Sequence, residues 1–436
     1  MSNEAPSGVG RSAQSAIFRA GIGGTAPQVP VDPSVLFDAA RRALSKEAAA
    51  YIFGGAGVER TMAANRAAFD DWQVWPRPLT DVSMRNLETT AFGVTRPTPF
   101  ILAPLGVMEM VHPEADLAVA RAAVTAQMPY VLSNQASFPM EDVAAEAPAG
   151  ERWFQLYWSA SDELNESLVT RAEGSGCTAI VITVDTHLLG WRTRDLDLGY
   201  LPFTRAMGIA QYLTDPVFKR LVAARVAEPQ GQRAAVKITP KAVLAGISIA
   251  RKGESLTGAG LRDSLKSPLP RAAVETFLDV FSTPALTWGD IVRVREWTSL
   301  PIIIKGIVHP DDAVRARDVG VNGVWISNHG GRQIDASVPT LYVLPEIVAR
   351  VGGDVEVIFD SGVRGGADAL IALALGASLV AIGRPYAAGL ALAGEDGVRE
   401  VLRNHLAELD ITMGLAGRTR ISDLDPTVLR HRGRAD

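Results

Sequence analysis

The chain has 436 residues, 47% of them hydrophobic and 21% charged, which supplies a full apolar core and argues against extensive disorder. With 43 Lys and Arg against 48 Asp and Glu, a net charge of −5 and no long basic run, it lacks the electrostatic footprint of a nucleic-acid binder. Its single cysteine, Cys177, excludes an internal disulfide framework and a multi-cysteine zinc or iron–sulfur site, and suits the reducing cytoplasm.

In chain order, residues 1–33 are rich in Gly, Ala, Pro and Ser, without a periodic apolar face or a secretory signal, and read as a flexible N-terminal arm. From Ser34, the residues Val35, Leu36, Ala39, Ala40, Ala43 and Leu44 recur at helical spacing, and the Gly54-Gly55-Ala56-Gly57 cluster stops the pattern just past Tyr51. Residues 34–98 therefore read as an N-terminal helical cap. Over 99–425, short apolar runs alternate with amphipathic stretches, the pattern of repeated βα units. Candidate strands fall at 100–103, 130–133, 153–156, 180–183, 302–305, 324–327, 357–360 and 379–383, with helices at 115–127, 141–147, 162–174, 288–297, 311–319, 343–351, 367–375 and near 398–415. This predicts an α/β fold, a closed (β/α)8 TIM barrel.

One connection is out of scale: Val184 to Pro301 separates strands four and five by far more than an ordinary βα loop. Within it, 204–285 reads as a lid-like insertion, and 426–436 reads as a C-terminal tail. The longest apolar stretch, 369–383, is too short to span a bilayer and is interrupted by Gly376 and Ser378, so no membrane partner is expected.

In a barrel of this kind the active site lies at the C-terminal ends of the strands. Those ends are polar here: Gln155 and Tyr157, Thr183 and Asp185, Lys305, Ser327 and His329, Asp360, then Gly383 and Arg384. Ser327-Asn328-His329-Gly330-Gly331-Arg332-Gln333 joins a potential base to a guanidinium suited to an acidic substrate. A hydrogen-bonded structural histidine is the ordinary alternative. Asp360-Ser361-Gly362-Val363-Arg364-Gly365-Gly366 and Gly383-Arg384-Pro385 offer backbone N–H groups and two guanidiniums, which suits a phosphate after strands seven and eight. Lys305 closes an Ile302-Ile303-Ile304 run and requires an anionic partner if buried. The Gly54–Gly57 cluster follows no strand and is not a dinucleotide fingerprint. No serine-hydrolase elbow, phosphate-binding loop or zinc-protease pattern occurs, and no metal site is expected.

With residues 327–333, 360–364 and 383–384 in view, the chain resembles the FMN-dependent L-2-hydroxy acid oxidising family over about residues 51–423. Within it, Leu189-Gly190-Trp191-Arg192-Thr193-Arg194-Asp195-Leu196, Thr214-Asp215-Pro216-Val217-Phe218 and the long excursion resemble the lactate 2-monooxygenase branch most. The resemblance implies FMN at the barrel mouth, with its ring against Pro104, Leu105 and Gly106 and near Ser133, Gln155, Thr183, Lys305 and Ser327. It implies Asp360, Gly362, Arg364, Gly383 and Arg384 around the ribityl and phosphate groups. The substrate carboxylate would pair with Arg192 and Arg332, helped by Tyr51 and Tyr157, with His329 as base, Asp185 steadying its charged form, and Lys305 stabilising the reduced flavin.

The implied reaction is oxidation of a small L-2-hydroxy acid by O2, lactate to acetate, CO2 and water. The rival is an oxidase releasing keto acid and H2O2 from lactate, glycolate or a mandelate-like acid. Gly106 matches the monooxygenase form, whereas Met108-Glu109-Met110-Val111-His112-Pro113 is nearer the oxidase pattern and Asn134-Gln135 departs from both. Family resemblance also implies a homo-oligomer, a tetramer or octamer. A non-catalytic barrel binding a phosphorylated ligand is the reading from another class, and the set His329, Arg332, Arg192 and Lys305 argues against it.

Overall fold

The computed structural model describes residues 8–228, 239–258 and 260–433. Parts of the expected arm (1–7), insertion (229–238 and 259) and tail (434–436) lie outside the described residues. Eight parallel strands close a barrel in sequence order: β1 (Phe100–Leu102), β2 (Tyr130–Ser133), β3 (Arg152–Tyr157), β4 (Ile180–Thr183), β5 (Ile302–Ile307), β6 (Gly323–Ile326), β7 (Glu356–Phe359) and β8 (Leu379–Ile382). Each expected strand is present; 130–133 and 180–183 coincide with the observed strands, and the other ends differ by at most two residues.

The two-residue period of a strand sorts each run into inward and outward ranks. Ile101, Val131, Trp153, Val181, Ile303, Trp325, Ile358, Leu379 and Ala381 form the apolar filling inside the barrel. Their neighbours, with Ile302, Ile304, Val324 and Ile326 among them, face the helices in the larger outer core. A hairpin of Thr89–Ala91 and Val94–Arg96 sets Phe92 against this filling, its ring 5.5 Å from that of Trp153 in an edge-on contact.

The arm and cap differ from the sequence reading. Residues Val9–Ile22 form a helix, α1, whose buried face is Gly10 and Ala13. It lies against the C-terminal helix Arg384–Leu415, and Asp410 accepts from the Gly10 N–H at 2.9 Å. A Cβ on Gly10 would stand 2.4 Å from Ile411, so this contact uses small residues that leave no apolar period. The single helix expected to run to Tyr51 is two, α2 (Pro33–Ala43) and α3 (Lys46–Phe53), because Ser45 caps the second by accepting from the Ala48 N–H. A further helix, α4 (Arg60–Asp70), follows. At the other end, Leu429–His431 pairs antiparallel with Trp72–Val74, tying the tail to the cap.

The described part of the long β4–β5 connection is helical, including Pro216–Ala227, Pro240–Lys252 and Leu269–Val280. It packs around Phe277, whose ring lies 5.2 Å from Phe203, 4.8 Å from Tyr212 and 5.1 Å from Phe281. Its root is fastened to the barrel: the Tyr212 hydroxyl donates to Asn134, and the Gln211 amide bonds Met140 N at 3.0 Å and Phe138 O at 2.9 Å. Lys252 pairs with Glu109 at 2.6 Å.

Candidate active site

Continuing each inward rank one step past the apolar filling gives a polar ring. Val131 is followed by Ser133, Trp153 by Gln155 and Tyr157, Val181 by Thr183, Ile303 by Lys305, Trp325 by Ser327, and Ile358 by Asp360. The register pairs Ser133 with Gln155, Tyr157 with Thr183 and Thr183 with Lys305. Lys305 is buried, donates to Ser327 Oγ at 2.9 Å and lies 3.5 Å from Asp360. The same Asp360 oxygen, Oδ2, accepts from Trp325 Nε1 at 2.9 Å, and Oδ1 accepts from Ser361 Oγ at 2.6 Å.

Above the ring opens a cavity of about 1010 Å³, mouth included. Of the residues singled out from sequence, Tyr51, Pro104, Leu105, Gly106, Tyr157, Arg192, Lys305, His329, Arg332, Asp360, Gly362, Arg364, Gly383 and Arg384 line it. Ser133, Gln155, Thr183, Ser327 and Asp185 are not among its lining residues; Ser327 and Asp185 reach it through Lys305 and His329. Gln155 Nε2 and Thr183 Oγ1 are buried and have no hydrogen-bond partner among the described residues, which marks polar capacity reserved for a ligand.

His329 sits in a left-handed conformation, φ 58°, uncommon for a residue with a side chain. The loop supports it: Ser327 Oγ accepts from the His329 N–H at 3.0 Å, Ser361 Oγ from the Gly330 N–H at 3.0 Å, and Asn328 exchanges two 2.8 Å amide bonds with Asn65 of α4. His329 Nδ1 is 3.0 Å from Asp185 and 3.3 Å from Thr186 Oγ1, leaving Nε2 for the cavity. Burial lowers the imidazole's proton affinity, with Asp185 opposing and Lys305 reinforcing the effect. Burial by itself would raise the Asp185 carboxyl, but the charges of His329 and Lys305 prevail and hold it below the ordinary value. Burial, aided by Asp185, raises the Tyr157 phenol, so it stays protonated.

The guanidiniums are held by carbonyls. Helix α3 ends at the cavity, and its C-terminal carbonyls, the negative pole of the helix, accept from them: Tyr51 and Gly54 from Arg332, Ile52 and Gly54 from Arg384. Arg384 also donates to Gly330 O at 2.9 Å, and Arg364 to Val363 O at 2.8 Å. Arg192 bonds the Arg332 carbonyl at 3.4 Å and the Gln333 amide at 3.1 Å. Carbonyls orient a cation without neutralising it. Burial accordingly pushes Arg332 down to about 10, with Arg192 adding to it, and Arg364 down to about 10, with Arg66 adding to it. Arg384 is likewise held well below the ordinary value, through burial and then through Arg332 and Arg364. The cavity thus holds two pairs of guanidiniums, Arg192 with Arg332 beside His329, and Arg364 with Arg384 at the glycine turns.

Several participants escaped the sequence reading. Phe203 and Phe281 from the β4–β5 connection line the cavity, as do Leu189 and Gln135, which the sequence reading quoted only within motifs, and Thr186 Oγ1 lies 3.3 Å from His329 Nδ1. Loop residues carry no periodic signal. Gln333, quoted only as part of the His329 segment, donates to Asp185 O at 2.8 Å and Leu188 O at 3.0 Å. Helix α4 was missed because its inward face, Thr61 and Asn65 beside Ala68 and Phe69, is half polar.

Among the described residues no helix is long and apolar enough to cross a membrane. The family model described as FMN-dependent dehydrogenase matches residues 40–431. L-lactate oxidase of Lysinibacillus sphaericus is 41% identical over 86% of this chain and 86% of its own; 4-hydroxymandelate oxidase of Amycolatopsis orientalis is 38% identical over 87% and 92%. The crystal structure of mandelate oxidase with (S)-4-hydroxymandelic acid superposes with a TM-score of 0.73 at 36% identity, covering 92% of this chain and 98% of that one. The chain, an FMN-dependent 2-hydroxy acid oxidoreductase, thus belongs to the FMN-dependent dehydrogenase family.

Proposed function

We propose that the enzyme oxidises L-lactate with O2 and keeps the keto acid enclosed until it is decarboxylated, giving acetate, CO2 and water. The cavity fits FMN: the partnerless Gln155 Nε2 and Thr183 Oγ1 suit the polar edge of a flavin ring, with Lys305 beside them. Arg364, Arg384 and the turns at Gly362 and Gly383 would take the phosphate, with Pro104, Leu105 and Gly106 against the ring and Ser133 and Ser327 supporting it from the strand ends. Bound there, FMN supplies the two-electron acceptor for the substrate carbon.

The chain's own groups do the rest. Arg192 and Arg332 clamp the carboxylate, Tyr51 packs beneath both guanidiniums at 6.0 and 5.1 Å from their central carbons, and Tyr157 donates a hydrogen bond. His329 Nε2, neutral because burial depresses its proton affinity, takes the hydroxyl proton, and Asp185 stabilises the resulting imidazolium.

The observation that carries the retention reading is the presence of Phe203 and Phe281, both from the β4–β5 connection, in the cavity wall with His329. A covering segment of this kind holds the keto acid while peroxide forms, and peroxide then decarboxylates it. The second reading is an oxidase releasing pyruvate and H2O2, favoured by the 41% identity to an L-lactate oxidase; a mandelate-like substrate is favoured by the oxidase relatives of that name. The cytoplasm and a homo-oligomer, tetramer or octamer, complete the proposal, supported by the lone buried Cys177 and by exposed apolar side chains such as Phe18, Ile22 and Leu79.

Product analysis tests it: L-lactate in air should yield acetate with little peroxide, and anaerobic L-lactate should bleach the yellow protein faster than L-mandelate. Stoichiometric pyruvate and H2O2 would replace the retention reading with the oxidase one. Failure of every L-2-hydroxy acid to bleach the flavin would overturn both.

A further inference from the structure

Strand β5 is irregular where it meets the site. Its pairing with β6 slips between Lys305 and Ile307, so Gly306 is an extra residue in the ladder, a β-bulge. Gly306 has φ 110°, open in practice only to glycine. Lys305 already points into the barrel by the two-residue period from Ile303, and the bulge that follows it brings the Gly306 backbone against the Asp185 carboxylate that faces His329. A Cβ built on Gly306 would stand 2.7 Å from Asp185 Cβ, 2.8 Å from its Cγ and 2.9 Å from its backbone nitrogen. Asp185 is held at Oδ1 and along its backbone, while its Oδ2 is buried without a hydrogen-bond partner among the described residues. Its Oδ1 is engaged by His329 Nδ1 and by Thr186 Oγ1 at 3.1 Å, its carbonyl by Gln333, and Val184 N is bonded to Lys305 O at 2.9 Å.

We propose that Gly306 is a positioning residue, whose missing side chain sets where the Asp185 carboxylate stands and thereby aims and charges His329. It touches neither the substrate nor the flavin; its effect passes through Asp185. This rests on the assignment of His329 and Asp185 above. Relieving the overlap to an ordinary 3.4 Å contact requires Asp185 to move by about 0.7 Å, a displacement of the size that costs on the order of ten- to a hundredfold in rate when it misaligns catalytic groups.

Three variants test it by anaerobic flavin bleaching in the FMN-loaded protein: Gly306→Ala, Asp185→Asn and their combination. Gly320→Ala is the control for backbone strain alone, since Gly320 has φ 81° and nothing within 4 Å of its Cβ position. Gly306→Ala should keep FMN, lose roughly ten- to a hundredfold in the limiting bleaching rate, and shift the acid limb of that rate to lower pH. The direction follows from Asp185, which raises the His329 proton affinity; a displaced carboxylate raises it less. Gly320→Ala should leave rate and profile unchanged. In the double variant the losses should be far from additive, because Asp185→Asn already removes the group through which Gly306 acts. A strong loss in Asp185→Asn with wild-type rate and profile in Gly306→Ala would overturn this proposal alone, as would additive losses. No loss in Asp185→Asn would overturn the assignment on which it rests. If Gly306→Ala does not fold as apoprotein, the same variant refolded in excess FMN provides the comparison, and a wild-type profile there refutes the proposal equally.

Discussion

Replacing Arg384 by Met separates anion binding from scaffolding. In the protein alone the guanidinium is buried, held by the carbonyls of Ile52, Gly54 and Gly330, and its proton affinity is driven well below the ordinary value by burial and by Arg332 and Arg364. A phosphate would relieve that stress, and a hydrogen bond to a charged partner contributes about 1.5–3 kcal/mol, roughly a ten- to hundredfold change in affinity. Riboflavin has the same ring and ribityl chain without the phosphate, so it reports any loosening of α3 or of the Gly330 turn. Titration of apoprotein, followed by quenching of flavin fluorescence, should show FMN binding weakened by that factor in Arg384→Met while riboflavin changes by less than about threefold. Equal weakening of both ligands would refute the reasoning and make Arg384 a brace for the end of α3.

His405, on the C-terminal helix, is buried, donates from Nδ1 to Val401 O at 2.9 Å with no partner for Nε2 among the described residues, and burial pushes it down to about 4. A histidine depressed in the folded state stabilises it above its unfolded value of about 6.5 and withdraws that stability as pH falls toward 4. His405→Leu should therefore abolish about 2 kcal/mol of the stability lost between pH 7 and pH 5, read from urea midpoints; an unchanged pH dependence would show that the ring does not titrate there. Phe277→Ala should cost about 3–5 kcal/mol in the β4–β5 helices and speed limited proteolysis of that segment before the barrel melts. Cleavage and melting at wild-type rates would mean that the aromatic cluster does not hold the segment.

The barrel was legible because its strands announce themselves twice, as apolar runs and as runs that end in a polar residue of the correct parity. Ile303-Ile304-Lys305 is the plainest case, and Ser327 after Trp325 follows the same rule. What escaped had its reason in chemistry. Helix α1 presents Gly10 and Ala13 inward, so close approach replaces hydrophobic bulk. Helix α4 buries Thr61 and Asn65, which hold the segment after β6 by hydrogen bonds to Ile334 and Asn328. Gln135, Phe203 and Phe281 meet in the cavity from segments far apart in the chain, a convergence that local pattern does not encode.

The two-residue rank that ends in Gln155, Thr183, Lys305, Ser327 and Asp360 rises from the strands themselves, whereas Gln135, Leu189, Phe203 and Phe281 arrive on connections. The groups that would hold the flavin ring thus belong to the frame, whereas His329, Asp185 and the residues that would meet the acid's side chain ride on the connections. A new side chain on the acid can be accommodated by exchanging loop residues while the oxidising apparatus stays where it is. One scaffold can in this way serve lactate in one lineage and an aromatic hydroxy acid in another without rebuilding its engine.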